Sequence, residues 1–173
     1  MTVANFIGLA EGTIHNASYP AGISFYSGSI WHRVVKGHVI QGGSPVIDKA
    51  PGKEEPGATG YVIPNEITDL SHNKAGMVGM ANSGPNTNTC QYYITLGDRS
   101  YLDGNYTVFG EVVEGMDVVN KIVQGDTTFT ISIVRKGKEA ESFIVNDATF
   151  KMLLDAQWNK VKQEENIRKE KDK

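Results

Sequence analysis

A second cysteine is the first thing this chain lacks. Its 173 residues hold one, Cys90, which excludes an internal disulfide. Nothing in the sequence marks a lowered thiol pKa, so Cys90 reads as a small strand residue rather than a nucleophile. No apolar run reaches the length a bilayer requires, so no membrane span is expected. No basic start followed by an apolar core stands at Met1, so no secretory signal is visible. Cytoplasm is then the default compartment, with a periplasmic or secretory place open should the N-terminus be truncated. A net charge of −3 offers no electrostatic case for a nucleic-acid partner. The four histidines, His15, His32, His38 and His72, show no close ligand spacing, and no metal site is expected. What remains is a length suited to one domain with a sizeable core.

The stretch WHRVVKGHVIQGGS, residues 31–44, organises the rest. The run 31–35 has the aromatic and β-branched content of a strand, Lys36 and Gly37 form a turn signal, and 38–41 reads as a second short strand. Side chains two apart share a strand face, which places Arg33 beside Trp31 and Val35. A guanidinium there either snorkels to water, the ordinary outcome, or serves a purpose. Gln41 adds an amide that both donates and accepts. Further on, Met77 to Met80 forms a strand candidate. In the strand 90–96, alternation puts Gln91, Tyr93 and Thr95 on one face and Cys90, Tyr92, Ile94 and Leu96 on the other. The turn formers of GPNTN, 84–88, make a rigid surface turn that holds Ala81 and Asn82 on one side and Gln91 and Tyr93 on the other.

The remaining elements follow from periodicity. Thr2 caps a helix whose Val3, Phe6, Ile7 and Ala10 form one stripe, with Gly12 as its stop. Residues 44–60, rich in Pro, Gly, Lys and Glu, read as a surface loop. Residues 107–113 are β-rich, 116–123 carry a helical pattern, and Phe129, Ile131 and Ile133 alternate as a last clear strand. Residues 142–145 could add another. Asn146 or Asp147 then caps a helix with Phe150, Leu153, Leu154, Trp158 and Val161 on one side, and the charged tail after Lys162 is a solvated helix end or a disordered terminus.

Taken in order, HRVVKGHVIQGGSP, GPNTN, LDG at 102–104 and TVFGEVVEGMDVV at 107–119 resemble the cyclophilins, the peptidyl-prolyl cis-trans isomerases. The likeness runs from the first residues to about Lys136, which suggests a cyclophilin-like domain over 1–136 and a C-terminal extension and charged tail over 137–173. In that family a two-stranded hairpin precedes the first helix, whereas here the sequence begins at the helix. The expected fold is mainly β: a cyclophilin-like antiparallel barrel with flanking helices, without the N-terminal hairpin and with an extra C-terminal helix.

The resemblance implies rotation about X-Pro bonds in proline-containing peptides or unfolded protein segments, with no cofactor, since hydrogen bonding and shape suffice. It assigns the catalytic role to Arg33 supported by Gln41. The substrate groove falls to His38, Val39, Ala81, Asn82, Gln91, Tyr93, Tyr101, Leu102 and Tyr106. Several of these depart from the family pattern: Tyr93 and His38 stand where phenylalanine is usual, Val39 for methionine, Tyr101 for tryptophan and Tyr106 for histidine. Tyr for Phe keeps the ring and needs only a partner for its hydroxyl. The swaps imply weakened cyclosporin binding, and a His38 ring with an unperturbed pKa near ~6.5 would weaken activity below neutral pH as it charges. They also leave open a proline-binding or chaperone module with weak or no turnover, and a scaffold acting through the C-terminal helix.

A sheet edge left uncovered is a template for pairing. A chain without the hairpin is expected to be poorly stable or to self-associate; a monodisperse monomer with a high melting temperature, by light scattering and thermal denaturation, contradicts this.

Overall fold

The computed structural model describes residues 1–45 and 58–171. Most of the segment expected as a surface loop, 46–57, lies outside the described residues. Five short strands make one antiparallel sheet: β1 (Arg33–Val35), β2 (Val39–Gly42), β3 (Met77–Met80), β4 (Tyr92–Thr95) and β5 (Val108–Glu111), in the spatial order β1-β2-β4-β3-β5. Among the described residues the sheet is open rather than closed into a barrel, with β1 and β5 at its edges. The β1–β2 hairpin turns at Lys36 and Gly37, where His38 N–H donates to the Val35 carbonyl at 2.9 Å.

Residues directly opposite in such a sheet project to the same face. The register aligns Arg33 with Gln41, Gln41 with Tyr93, and Tyr93 with Gly79. The neighbouring row is Val34, Ile40, Ile94 and Val78. Ile40 and Ile94 belong to the core, against which Val34 and Val78 pack, while Tyr92 and Met80 extend the same face. The alternation read from residues 90–96 is thus the division between core and groove.

Helices cover that core. In α1 (Thr2–Glu11), Ala4, Asn5, Gly8 and Leu9 are buried, and Gly12 ends the helix in the left-handed conformation at φ 69°. The buried face differs from the expected stripe, for Val3 is 45% exposed. Thr2 does not cap the helix but lies inside it, buried, and its N–H donates to the Glu66 carboxylate at 2.8 Å. An acidic side chain distant in sequence has taken the capping work.

Other expected elements are shorter or absent. Trp31 precedes β1, with its indole buried edge-on to Tyr92 at 5.6 Å, whereas Arg33 and Val35 are exposed. Strand alternation therefore does not extend back to Trp31, and the indole goes to the core. The pattern at 116–123 yields only α2 (Met116–Val119), followed by turns. The alternation at Phe129, Ile131 and Ile133 forms no strand. Pairing occurs just before it, where Thr128 N–H donates to the Ser29 carbonyl at 2.7 Å and Trp31 N–H to the Asp126 carbonyl at 2.9 Å. Beyond that point no ladder partner is present among the described residues, and Phe129 is 85% exposed. In place of a strand at 142–145, α3 (Lys138–Ser142) runs up to it.

The last helix, α4 (Asp147–Lys171), begins at Asn146, whose Oδ1 accepts from Thr149 N–H at 3.0 Å. The charged tail continues this helix to Lys171. Phe150 is buried against Tyr61 with ring centroids 5.4 Å apart, and Gln157 Nε2 donates to the Asn65 carbonyl at 2.9 Å. A bidentate pair between Arg135 and Glu11, at 2.5 and 2.9 Å, fastens the preceding segment to α1. No helix among the described residues is long and apolar enough to cross a membrane.

Truncating a buried phenyl removes its transfer energy and leaves a cavity, typically ~3–5 kcal/mol. Phe150→Ala is expected to lower stability by roughly 3 kcal/mol, read from denaturant unfolding; an unchanged midpoint contradicts the seating of α4 on the core.

Candidate active site

A cavity of about 170 Å³ opens on the sheet face opposite the core, lined by Arg33, His38, Val39, Gln41, Ala81, Asn82, Tyr93, Leu102 and Tyr106. It lies below the usual range of ~300–1,000 Å³ for small-molecule pockets and suits one ring with its flanking peptide groups. Sheet register explains most of the gathering: Arg33, Gln41 and Tyr93 are one cross-strand row, and Val39 sits two residues from Gln41 on β2. Leu102 closes a short 3-10 turn, Ser100–Leu102, and Tyr106 arrives from the loop that follows it.

The polar atoms of the row are ordered. Gln41 Nε2 donates to Gln91 Oε1 at 2.8 Å, which leaves Gln41 Oε1 to receive Arg33 Nη1 at a long 3.5 Å. Gln91 thus stands behind the cavity and orients Gln41 rather than lining it. Asn82 Nδ2 donates to the Asn105 carbonyl at 3.1 Å and its Oδ1 accepts from Gly84 N–H at 3.2 Å, so this amide joins two loops beside the cavity. The GPNTN turn is tied to a neighbouring segment: Asn88 is fully buried and donates from Nδ2 to Asn65 Oδ1 at 2.8 Å.

Tyr93 is the floor, and Tyr106 meets it edge-on with centroids 6.1 Å apart. The Tyr93 hydroxyl is not wasted in an apolar slot, since it lies 2.6 Å from His72 Nε2. Burial pushes its pKa up, so it stays protonated and acts as a donor. Tyr101 does not line the cavity; it is 68% exposed and stacks on His38 with centroids 6.3 Å apart.

His38 has a partner that the sequence did not reveal. Arg99 Nε donates to His38 Nδ1 at 2.7 Å, and a second guanidinium nitrogen bonds the Gly37 carbonyl. A ring nitrogen that accepts carries no proton, so a neutral His38 bears its proton on Nε2. Burial, then the positive charges of Arg99 and Arg33, lower the His38 pKa from its ordinary value. The charging expected just below neutral pH is displaced to more acid solution. Arg99, His72, Asp103 and Gly79 went unnoticed in the sequence as parts of this site; the one available signal was Tyr93, whose hydroxyl required a partner.

Comparison with known proteins points to one family. The family described as cyclophilin type peptidyl-prolyl cis-trans isomerase/CLD matches residues 1–139. A peptidyl-prolyl cis-trans isomerase of Arabidopsis thaliana is 46% identical over 97 residues, covering 56% of this chain and 59% of the relative. Peptidyl-prolyl cis-trans isomerase A of Mycobacterium tuberculosis is 42% identical over 118 residues, covering 65% and 62%. The chain thus spans about three fifths of the length of these curated relatives. A crystal structure of a Cryptosporidium parvum cyclophilin type isomerase superposes with a TM-score of 0.56 at 28% identity, over 69% of this chain and 70% of that one. The same protein was also solved in the presence of the dipeptide Ala-Pro.

Because His38 titrates lower in the fold than in the unfolded chain, its neutral form contributes stability that is full above the unfolded value of ~6.5 and is lost as pH falls through the folded pKa. Arg99→Ala is expected to raise the His38 pKa toward the ordinary value without reaching it, since burial persists. An NMR titration of the His38 ring checks this; an unmoved or lowered value contradicts the pairing with Arg99.

Proposed function

The chain belongs to the cyclophilin type peptidyl-prolyl cis-trans isomerases, and from that membership we propose that it accelerates rotation about X-Pro bonds in peptides and unfolded segments. The observation that carries this reading is the placing of Arg33, Gln41 and Tyr93 in one cross-strand row beside a cavity of ring size. The barrier to be lowered is resonance in the amide, roughly 18–20 kcal/mol. No bond is broken, so neither nucleophile nor general base is needed; the site has only to favour the twisted amide over both planar forms.

In the twisted state the prolyl nitrogen regains its lone pair and accepts a hydrogen bond. Arg33 supplies the donor, being permanently charged and planar with several N–H groups. Its contact with Gln41 is long, which suits a guanidinium that tightens only when substrate arrives. Gln91 fixes Gln41 so that Oε1 faces Arg33. The proline ring enters above Tyr93, between Val39, Leu102 and Tyr106, while Ala81 and Asn82 border the peptide and Tyr101 lies at the outer rim beside His38. No cofactor takes part in this chemistry. The isomerase unit is assigned to residues 1–136, with 137–173 an extension docked through Phe150 and Gln157.

Ala-Pro, the dipeptide present with the Cryptosporidium relative, is the natural probe. Cis-trans exchange of an Ala-Pro peptide, followed by NMR, is expected to accelerate with the wild type. Arg33→Ala should reduce that acceleration by about 10²-fold or more, the usual loss for one transition-state donor. Loss of less than tenfold would remove Arg33 from its role. Peptide binding without any acceleration would make this a proline-binding module instead.

A further inference from the structure

Behind the pocket floor lies a chain of polar groups that the isomerase chemistry does not use. His72 is fully buried, stacks on the Tyr93 ring with an interplanar angle of 20°, and places Nε2 2.6 Å from the Tyr93 hydroxyl. On its other side, Nδ1 lies 2.6 Å from Asp103 Oδ1, and the His72 backbone N–H donates to the same oxygen at 2.9 Å. Asp103 Oδ2 accepts from the Ser71 hydroxyl at 2.6 Å. Hydrogen bonds from the Ser71 hydroxyl, the His72 amide and the His72 ring hold the Asp103 pKa down to about 2, so at neutral pH it can only accept.

Direction follows from this. His72 Nδ1 must carry a proton to meet the carboxylate, which leaves Nε2 of the neutral ring as the acceptor for the Tyr93 hydroxyl. Room for that hydroxyl exists because its cross-strand neighbour is Gly79, where a Cβ would overlap the phenol oxygen. Asp103 directly follows Leu102, a residue of the pocket wall. The chain Tyr93, His72, Asp103 therefore runs from floor to wall.

We propose that His72 is a positioning residue of the proline pocket: anchored to Asp103, it accepts the Tyr93 hydroxyl, holds the long axis of that ring in place and ties the floor to the wall that carries Leu102. Its catalytic meaning rests on the isomerase reading; its effect on the pocket does not. A phenyl ring at 93 would fill the same floor but would leave its far end untied. The tyrosine oxygen lies on the ring's long axis, so its contact with Nε2 fixes where that axis points.

The test is a double-mutant cycle on the full chain with Tyr93→Phe, His72→Phe and both, using an Ala-Pro peptide as the probe. Three quantities are read by NMR: the peptide Kd, the split of exchange into kcat and KM, and the hydroxyl and ring signals of Tyr93. Removing one hydrogen bond that orders the floor is expected to weaken peptide binding about fivefold, seen in KM more than in kcat. The double variant should bind no more weakly than His72→Phe alone, because His72 acts through the hydroxyl. In His72→Phe the slowly exchanging Tyr93 hydroxyl proton should vanish and the Tyr93 ring signals should shift. Losses that multiply in the double variant overturn the proposal. So does a His72→Phe protein whose Tyr93 signals and Kd match wild type while only its melting temperature falls. If His72→Phe does not fold, Tyr93→Phe decides, and an unchanged Kd there overturns the proposal. A wild type that binds the peptide without speeding its exchange removes the isomerase reading, while the cycle in Kd still judges His72.

Discussion

The register of β4 between β2 and β3 is the constraint on which the rest depends. Tyr93 faces Gln41 on one side and Gly79 on the other, while Tyr92, one residue earlier, faces the core. Because strand side chains alternate with a period of two, a slip of one residue would exchange these tyrosines. The core would then receive a residue that bonds His72, and the groove would lose its floor. The aromatic cluster of Phe6, Tyr26, Trp31 and Tyr92 guards against this slip, since four rings meeting at 5.1–5.6 Å leave no room for a displaced strand.

With the register set, polar residues can occupy an otherwise apolar pocket wherever a partner is supplied. A buried hydroxyl or imidazole without one would cost about 1–3 kcal/mol. Tyr93 is matched by His72, and His38 by Arg99. Each accommodation draws on a residue distant in sequence. The tyrosine also relies on Gly79, so the departure at one position is linked to the small size of another. The polar side chains of the pocket are thus individually accommodated rather than left unmatched, and its walls carry more hydrogen-bond donors than rings alone would.

The helices serve this sheet from its other face. α1 covers the core and takes its first-turn support from Glu66, while α4 settles Phe150 on Tyr61 and leaves its charged remainder in solvent. Tyr61 in turn donates to Asn5 Oδ1, and Asn5 Nδ2 to the Thr89 carbonyl, so helix and groove segment share one buried network. Through Thr89, next to Cys90 and Gln91, the cover of the core reaches the strand that carries the groove.

Much of this was legible in the residues alone. The motifs around Arg33, GPNTN and LDG pointed to the family; alternation in 90–96 separated groove from core; Asn146 and the apolar stripe after it marked α4. These are local properties, carried by spacing along one segment. The run at Phe129 misled because alternation makes a strand only where a partner lies alongside, and Trp31 because the β1 strand begins only at Arg33. Thr2 was a sound cap by its chemistry, yet the helix begins at Thr2 itself, and Glu66 accepts from its amide. His72, Asp103, Gly79 and Arg99 could be recognised as parts of the site only once folded. Periodicity states which way a side chain points, but the neighbour it meets is decided by strands and loops brought together from as near as Gly79 with Tyr93 to as far as His38 with Arg99, 61 residues apart.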